Sequence, residues 1–339
     1  MSSLKEIDII NIFKRNFSTL PHILIGIKSQ TGINEDCGVI DLGLDDQVLV
    51  ITTDLISKKR HAPFLMSYKQ MGMKAITVNV SDLAAMGARP LGLVMSLGFP
   101  EKIYEQEIDE LGQGMEIKAK KYDTCVFGGD VNRTDDLIIA GTAIGITNKR
   151  HLMTRHGAKV GDLVAVTGNI GLAASGFTIL QENNEKLIKK FPNSVKAALE
   201  PDAKIKFSLD IAKTSKITAI GDITDGLAWE LHKIGTASNV GIEIEEKSIP
   251  IHVESLEINN LLKNDLHYSI FHVGEDFELV FTLKEENLDD ILRIAKDHGE
   301  KISIIGKTQE PSKGVTLRNK NNEIKNLQRK GWDQFTSTI

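Results

Sequence analysis

The feature that most restricts how this chain can fold is a series of short, β-branched apolar runs, many of them broken off by an acidic residue. In the first half the runs lie at 47–52 (QVLVIT), 75–80 (AITVNV), 91–97 (LGLVMSL), 124–127 (TCVF) and 137–146 (LIIAGTAIGI). Runs of this length and composition read as strands. Two helix-like stretches lie between them. One extends from about Ser67 through 83–87, interrupted by the strand-like piece at 75–80, and the other from about Glu101 to Lys121. This alternation predicts a mixed α/β unit. A charged segment, Asn148 to His151, marks a boundary, and GAKVGDLVAVTG (157–168) then reads as a turn and a strand. A Lys- and Asn-rich helical region follows to about 200. Further runs lie at 217–221, 241–244, 269–273 and 279–283, with helices near 226–237 and 285–298. Two α/β halves are expected, 1–148 and 149–339. The first residues form a helix, with Ser3 and Glu6 as a capping box and Leu4, Ile7, Ile10 and Phe13 at helical spacing.

The carboxylates carry the chemistry. Asp54 closes one run, Asp82 precedes LAAMGA, Asp130 follows TCVFGG, and Asp222 and Asp225 follow ITAIG. Glu275 and Asp276 follow SIFHVG, and Glu35 and Asp36 precede CGVI. Any one of these acids is more often a helix cap or turn residue. Strand ends in α/β units converge on a ligand-binding edge, and so many carboxylates gathered there repel one another. Divalent cations relieve that repulsion, and oxygen-only ligation favours Mg²⁺ or Mn²⁺. Several such ions with little other chemistry point to triphosphate binding and phosphoryl transfer.

Composition excludes other classes. Hydrophobic residues make up 41% and charged residues 26%, as in a globular protein, and the net charge of -5 gives no basic face for nucleic acid. No run of about 18 apolar residues suits a membrane span, and the acidic N-terminus is unlike a signal peptide. Cys37 and Cys125 stand far apart, both in apolar runs, and read as small buried hydrophobes of a cytoplasmic protein. Met66, Met71, Met73 and Met86 read as core. GxxxxGK[ST], the HRD and DFG set, GxSxG and HExxH are all absent.

Taken together, these segments resemble the thiamine-monophosphate kinase family. It belongs to an ATP-binding superfamily that includes aminoimidazole ribonucleotide synthetase, selenophosphate synthetase and the hydrogenase-maturation carbamoyl dehydratase. The likeness runs nearly end to end. It is carried by GINEDCGVI (32–40), TTDLISKKRH (52–61), KAITVNVSDLAAMGARP (74–90), GGDVNR (128–133), TRHGAKVGD (154–162), GDITDGLAWELHKI (221–234), GEDFELVFT (274–282) and KGWDQF (330–335). The resemblance implies a two-domain aminoimidazole ribonucleotide synthetase-like α/β fold, with a dimer formed through the N-terminal sheets and ATP between the domains. It also implies direct in-line transfer of the γ-phosphoryl group to thiamine monophosphate, giving thiamine diphosphate. Metal ligands are implied at Asp36, Thr52, Thr53, Asp54, Asp82, Asp130, Asp222 and Asp225, with Asp54, Asp82 and Asp130 at the chemistry. ATP contacts are implied at Gly129, Asp130, Arg155 and Thr224, and substrate contacts at His61, Glu275 and Trp332.

The chain departs from the family pattern in places. Asn34 and Glu35 replace Gly and Asp, Val273 replaces a glycine, and Gly112 stands where a Tyr often touches ATP. Taken alone, His61 would read as a surface histidine, Arg155 as a solvated arginine and Trp332 as a tail anchor. Within the resemblance all three are expected at the site. Selenophosphate synthetase needs a reactive Cys or selenocysteine and a Lys in a glycine-rich N-terminal segment, and the carbamoyl dehydratase needs a C-terminal cysteine. This chain has neither and ends Ser-Thr-Ile. A nucleotide-binding module without catalysis would have lost its metal carboxylates, which are retained here.

Overall fold

The computed structural model describes residues 5–26, 35–43, 45–63 and 65–332. Ser3, Leu4, Asn34 and the side chain of Ile7 lie outside the description. The first half contains α1 (Glu6–Asn16), β1 (Ile23–Ile25), β2 (Gly38–Asp41), β3 (Gln47–Ser57), α2 (Lys58–His61) and α3 (Tyr68–Ala85). It continues with β4 (Arg89–Phe99), α4 (Glu105–Lys121), β5 (Val126–Arg133) and β6 (Ile138–Asn148). The second half runs through β7 (Leu163–Thr167), α5 (Leu172–Gln181), α6 (Glu185–Lys190), α7 (Pro192–Leu199), α8 (Ile205–Thr214) and β8 (Ile217–Asp222). Next come α9 (Leu227–Ser238), β9 (Gly241–Glu245), α10 (Val253–Leu262), α11 (Leu266–Tyr268) and β10 (Leu279–Leu283). Last are α12 (Leu288–His298), β11 (Ile302–Gln309), β12 (Val315–Arg318) and β13 (Ile324–Asn326).

The strands form two sheets, a six-stranded one in the order β1-β2-β3-β6-β4-β5 and a seven-stranded one in the order β13-β12-β9-β11-β7-β10-β8. Only β4–β5 and β9–β12 pair in parallel among the described strands. The edge-convergence expected of parallel strands therefore does not apply. Asp54 and Asp130 sit inside β3 and β5, not at strand ends. Glu6 is the first residue of α1 and not its third, and the Ser3 end of the expected capping box lies outside the described residues. The Lys5 N–H donates to Asp8 Oδ2 at 3.0 Å.

The largest correction is α3. AITVNV is not a strand but the middle of an 18-residue helix, capped by Ser67, whose Oγ accepts from Gln70 N at 3.2 Å. Every residue from Lys74 to Ala85 is buried. This helix lies between both sheets, packing on β3, β4 and β6 on one side and on β8 and α8 on the other. A helix covered all round needs no polar face, so Ile76, Thr77, Val78 and Val80 mimic a strand. Helix α4 packs against it closely. A Cβ on Gly72 would lie 2.1 Å from Leu111 O, and one on Gly114 would lie 1.9 Å from Lys69 O. Residues 269–273, expected as an apolar strand-like run, form a π-helical turn. Met66, Met71 and Met86 are core, and Met73 is half-buried. Cys37 is buried, but Cys125 is exposed at the start of the β5 edge.

One face of the six-stranded sheet is covered and the other is open. Val48, Val50, Thr52 and Ile56 point under α3 and are buried. Leu49, Ile51 and Leu55, paired with Ile146, Ile144 and Ala140, form the open face. All eight residues of β5 are exposed, Phe127 and Val131 among them.

Candidate active site

The acidic cluster forms on the covered face, where α3 meets β8. Carboxylate oxygens of Asp36, Asp82 and Asp222 lie within 4.8 Å of one another. Each comes from a different element: Asp36 from the segment before β2, Asp82 from the last turn of α3, and Asp222 from the end of β8. Thr52 Oγ1 donates to Asp82 Oδ2 at 2.5 Å and Ser81 Oγ to Asp222 Oδ2 at 2.5 Å. The other Asp222 oxygen is buried with no partner. Main-chain N–H of Asp54 donates to Asn79 Oδ1 at 3.2 Å, and Asn79 reaches the sheet because Gly141 has no side chain to block it.

The electrostatics show crowding. Burial, then the charges of Asp36 and Glu6, pushes Asp54 up to about 6. Burial and Asp36 push Asp222 up to about 8, and burial pushes Asp225 up to about 7. Asp82 is raised well above the usual carboxylate range by burial and the charges of Asp54 and Asp222. Asp36 is the exception. Burial would raise it, but Arg155 and Lys233 outweigh that and hold it low. Groups held protonated only by desolvation and mutual repulsion form a site that accepts cations. An all-oxygen donor set with an orphaned buried oxygen fits a hard divalent ion.

Arg155 is 1% exposed, and its guanidinium is spent on the cluster, with NH2 2.5 Å from Asp36 Oδ1 and Nε on Glu230. Its main-chain N–H donates to Glu35 Oε1 at 3.0 Å. The structure thus places it as a buried clamp and not on open surface. Lys233 Nζ lies 3.3 Å from Glu230 Oε2 and 3.9 Å from Asp36 Oδ1.

Of the residues expected to contact substrate, His61 accepts at Nδ1 from the Ser57 N–H at 2.9 Å, and Glu275, after Gly274, has a φ of 58°. The Glu275 N–H donates to Thr224 O at 2.8 Å, and Trp332 N–H to Asp225 O at 3.0 Å. The 274–277 loop and the C-terminal tail are therefore tied to the segment that carries Thr224 and Asp225.

Two of the expected ligands are not brought to the cluster. Thr53 points to the open face, where its hydroxyl donates to Gly141 O at 2.8 Å. Asp130 shares that face, in the row formed with Ser96, Ala140 and Leu55, and accepts from Asn132 Nδ2 at 2.6 Å. Strands β6 and β4 separate β5 from β3, so Asp130 stands about 14 Å from Asp54 along the sheet, at ~4.8 Å per strand. Its neighbour Gly129 packs on β4, where a Cβ would fall 2.0 Å from Met95 O. Reading the sequence missed Asn79, Ser81, Glu230 and Lys233. The signal available was polar residues inside the apolar VNVSD stretch and charges on the apolar face of α9.

Comparison with known proteins bears on the family and the fold. The N-terminal domain of AIR synthase related proteins matches residues 34–147, and the C-terminal domain of those proteins matches residues 159–318. The thiamine-monophosphate kinase of Pyrococcus horikoshii is 32% identical, over 99% of this chain and 97% of its own. The chain belongs to the thiamine-monophosphate kinase family. The Bacillus subtilis member is 30% identical over 98% of this chain and 100% of its own. The solved structure of AaThiL complexed with AMPPCP and TMP superposes with a TM-score of 0.83 at 26% identity, covering 98% of this chain and 97% of that one. Family membership and fold are thus shared along the whole length.

Proposed function

We propose that this chain transfers the γ-phosphoryl group of ATP directly to thiamine monophosphate, giving thiamine diphosphate, and that Asp36, Asp54, Asp82, Asp222 and Asp225 hold divalent ions for it. The observation that carries the reading is the convergence of Asp36, Asp82 and Asp222 from both halves of the molecule, with one Asp222 oxygen buried and unpartnered. Membership of a kinase family supports it. When bound, Mg²⁺ supplies the positive charge that lets two phosphate groups approach.

The chain's own residues do the rest. The acceptor is already an anion, so no general base is required, and the task is positioning and charge. Arg155 and Lys233 hold Asp36 ionised and in place, so Arg155 serves ATP by fixing a carboxylate, an indirect role. Thr224 and Gly129 offer main chain to the nucleotide, while His61, Glu275 and Trp332 surround the thiamine end.

The active form is a homodimer. The open apolar face of the six-stranded sheet and the exposed β5 edge are surfaces that a second copy would cover. A partner's β5 would then set Asp130 at a site shared between the two copies, against the open face that carries Thr53. The two family regions suggest units meeting near 148–149, and the unpaired cysteines fit a cytoplasmic setting. Among the described residues, no helix is long and apolar enough to cross a membrane.

The test is to incubate the pure chain with MgATP and thiamine monophosphate. Equimolar ADP and thiamine diphosphate are expected, with no labelled protein when γ-labelled ATP is given without acceptor. Accumulation of a phosphoprotein would overturn direct transfer.

A further inference from the structure

Lys74 is a charged residue inside the most buried helix of the molecule, and neither the acidic cluster nor the hydrophobic core accounts for it. Its side chain is 1% exposed, and its ammonium makes three hydrogen bonds. Two go to Glu275, at 2.8 Å to Oε1 and 2.6 Å to Oε2, and the third goes to the main-chain carbonyl of His61 at 2.9 Å. Phe177 from α5 lies beneath it, with its ring centre 5.7 Å from Nζ. All three ammonium hydrogens are thus used, on one residue of the first half and one of the second.

We infer that Lys74 is a positioning residue that joins the two sides of the thiamine-phosphate site. The inference rests on the reading of His61 and Glu275 as substrate contacts. Glu275 is held in a costly conformation. It has a φ of 58° and Phe277 one of 51°, in a region that non-glycine residues seldom occupy. Such a loop persists only where its surroundings over-determine it. Here its main chain is pinned by Glu275 N to Thr224 O and Phe277 N to Ile223 O, and its side chain by Lys74.

The Glu275 side chain remains 28% exposed, so it has a free side to offer a ligand while Lys74 fixes its orientation. The same ammonium fixes the end of the short α2 segment that carries the His61 ring. A buried ion pair of this kind is a weak source of stability, and replacing it by apolar groups is often neutral. A lysine at this position is therefore better explained by what it orients than by what it stabilises.

The test uses the full chain and steady-state kinetics with both substrates varied. Lys74→Met is expected to raise the KM for thiamine monophosphate by about tenfold, the scale of losing a supporting contact behind a ligand-binding group. The KM for ATP should stay within about twofold, whereas the melting temperature should fall, because removing the ammonium leaves the Glu275 carboxylate and the His61 carbonyl without their partner. Glu275→Gln should raise the same KM, and the double variant should match the worse single variant without adding to it, because Lys74 acts through Glu275. If the methionine variant fails to fold, Lys74→Gln carries the comparison, and a wild-type KM for thiamine monophosphate in it overturns the proposal. A rise in both KM values by a similar factor would leave Lys74 as a structural residue and overturn it too. If Glu275→Gln raises the KM and Lys74→Met does not, only the role of Lys74 falls. If Glu275→Gln itself binds thiamine monophosphate normally, the substrate reading falls and takes this inference with it.

Discussion

Replacing Asp222 by Asn is expected to make the metal-free protein more resistant to rising pH. Asp222 is 0% exposed, and one of its oxygens has no partner. Burial and the charge of Asp36 raise it from an ordinary 3.8 to about 8. Between those values the folded chain holds a proton that the unfolded chain has lost, so stability falls as pH rises through the window. From pH 6.5 to 8 the folded state keeps most of a proton on this group, which corresponds to a loss on the order of 1–2 kcal/mol. Each kcal/mol moves the melting temperature by roughly 2–4 °C for units of 150–250 residues. Asp225, raised to about 7, adds to the fall at the lower end of the range. Burial holds His232 and His272 below their ordinary values, and they act in the opposite sense. They are common to wild type and variant, so they drop out of the difference. The assay is thermal melting of chelator-treated wild type and Asp222→Asn at pH 6.5, 7.25 and 8, with and without Mg²⁺. Wild type without metal should lose several degrees across the range and the variant distinctly less. Mg²⁺ should flatten the wild-type slope, because a metal-bound carboxylate has no proton to lose. Equal slopes in the two chelated proteins would refute the argument, as would a wild-type melting temperature that rises with pH and is indifferent to Mg²⁺.

Asp54→Asn and Asp82→Asn should each lower turnover by orders of magnitude, read in the coupled ADP assay, while circular dichroism stays that of the wild type. Near-normal turnover in both would remove the cluster from the reaction. Asp130→Asn should also be inactive. If Asp130 serves the partner's cluster, mixing unfolded-and-refolded Asp54→Asn and Asp130→Asn chains should restore about a quarter of wild-type activity, since half the dimers are mixed and carry one intact site. No recovery, with dimers present by light scattering, would place Asp130 in its own chain's site. Trp332→Ala should raise the KM for thiamine monophosphate by roughly 2- to 30-fold, the range of a cation–π contact with a thiazolium. The KM for ATP should stay unchanged, and a variant that only melts early would make Trp332 a tail anchor.

Much of this protein was legible in its residues. The mixed α/β character, with strands in both halves of the chain, follows from the apolar runs, because local periodicity reflects which faces are buried. The acids worth following, Asp36, Asp54, Asp82, Asp222 and Asp225, stood out because ionisable groups beside apolar runs are costly unless something compensates them. What local pattern does not carry is which elements pack against which. AITVNV reads as a strand from its β-branched residues, and only its place between two sheets makes it a helix buried on every side. The same placement sets Asp82 and Ser81 against Asp222, separated from them by about 140 residues of chain. Strand register, which depends on pairing partners far away in sequence, sends Thr53 and Asp130 to the opposite face from Asp54. Nothing in the sequence singles out Lys74, and only tertiary contact shows its ammonium between His61 and Glu275. Composition and spacing therefore named the chemistry, whereas the long-range packing of α3 decided where that chemistry is assembled.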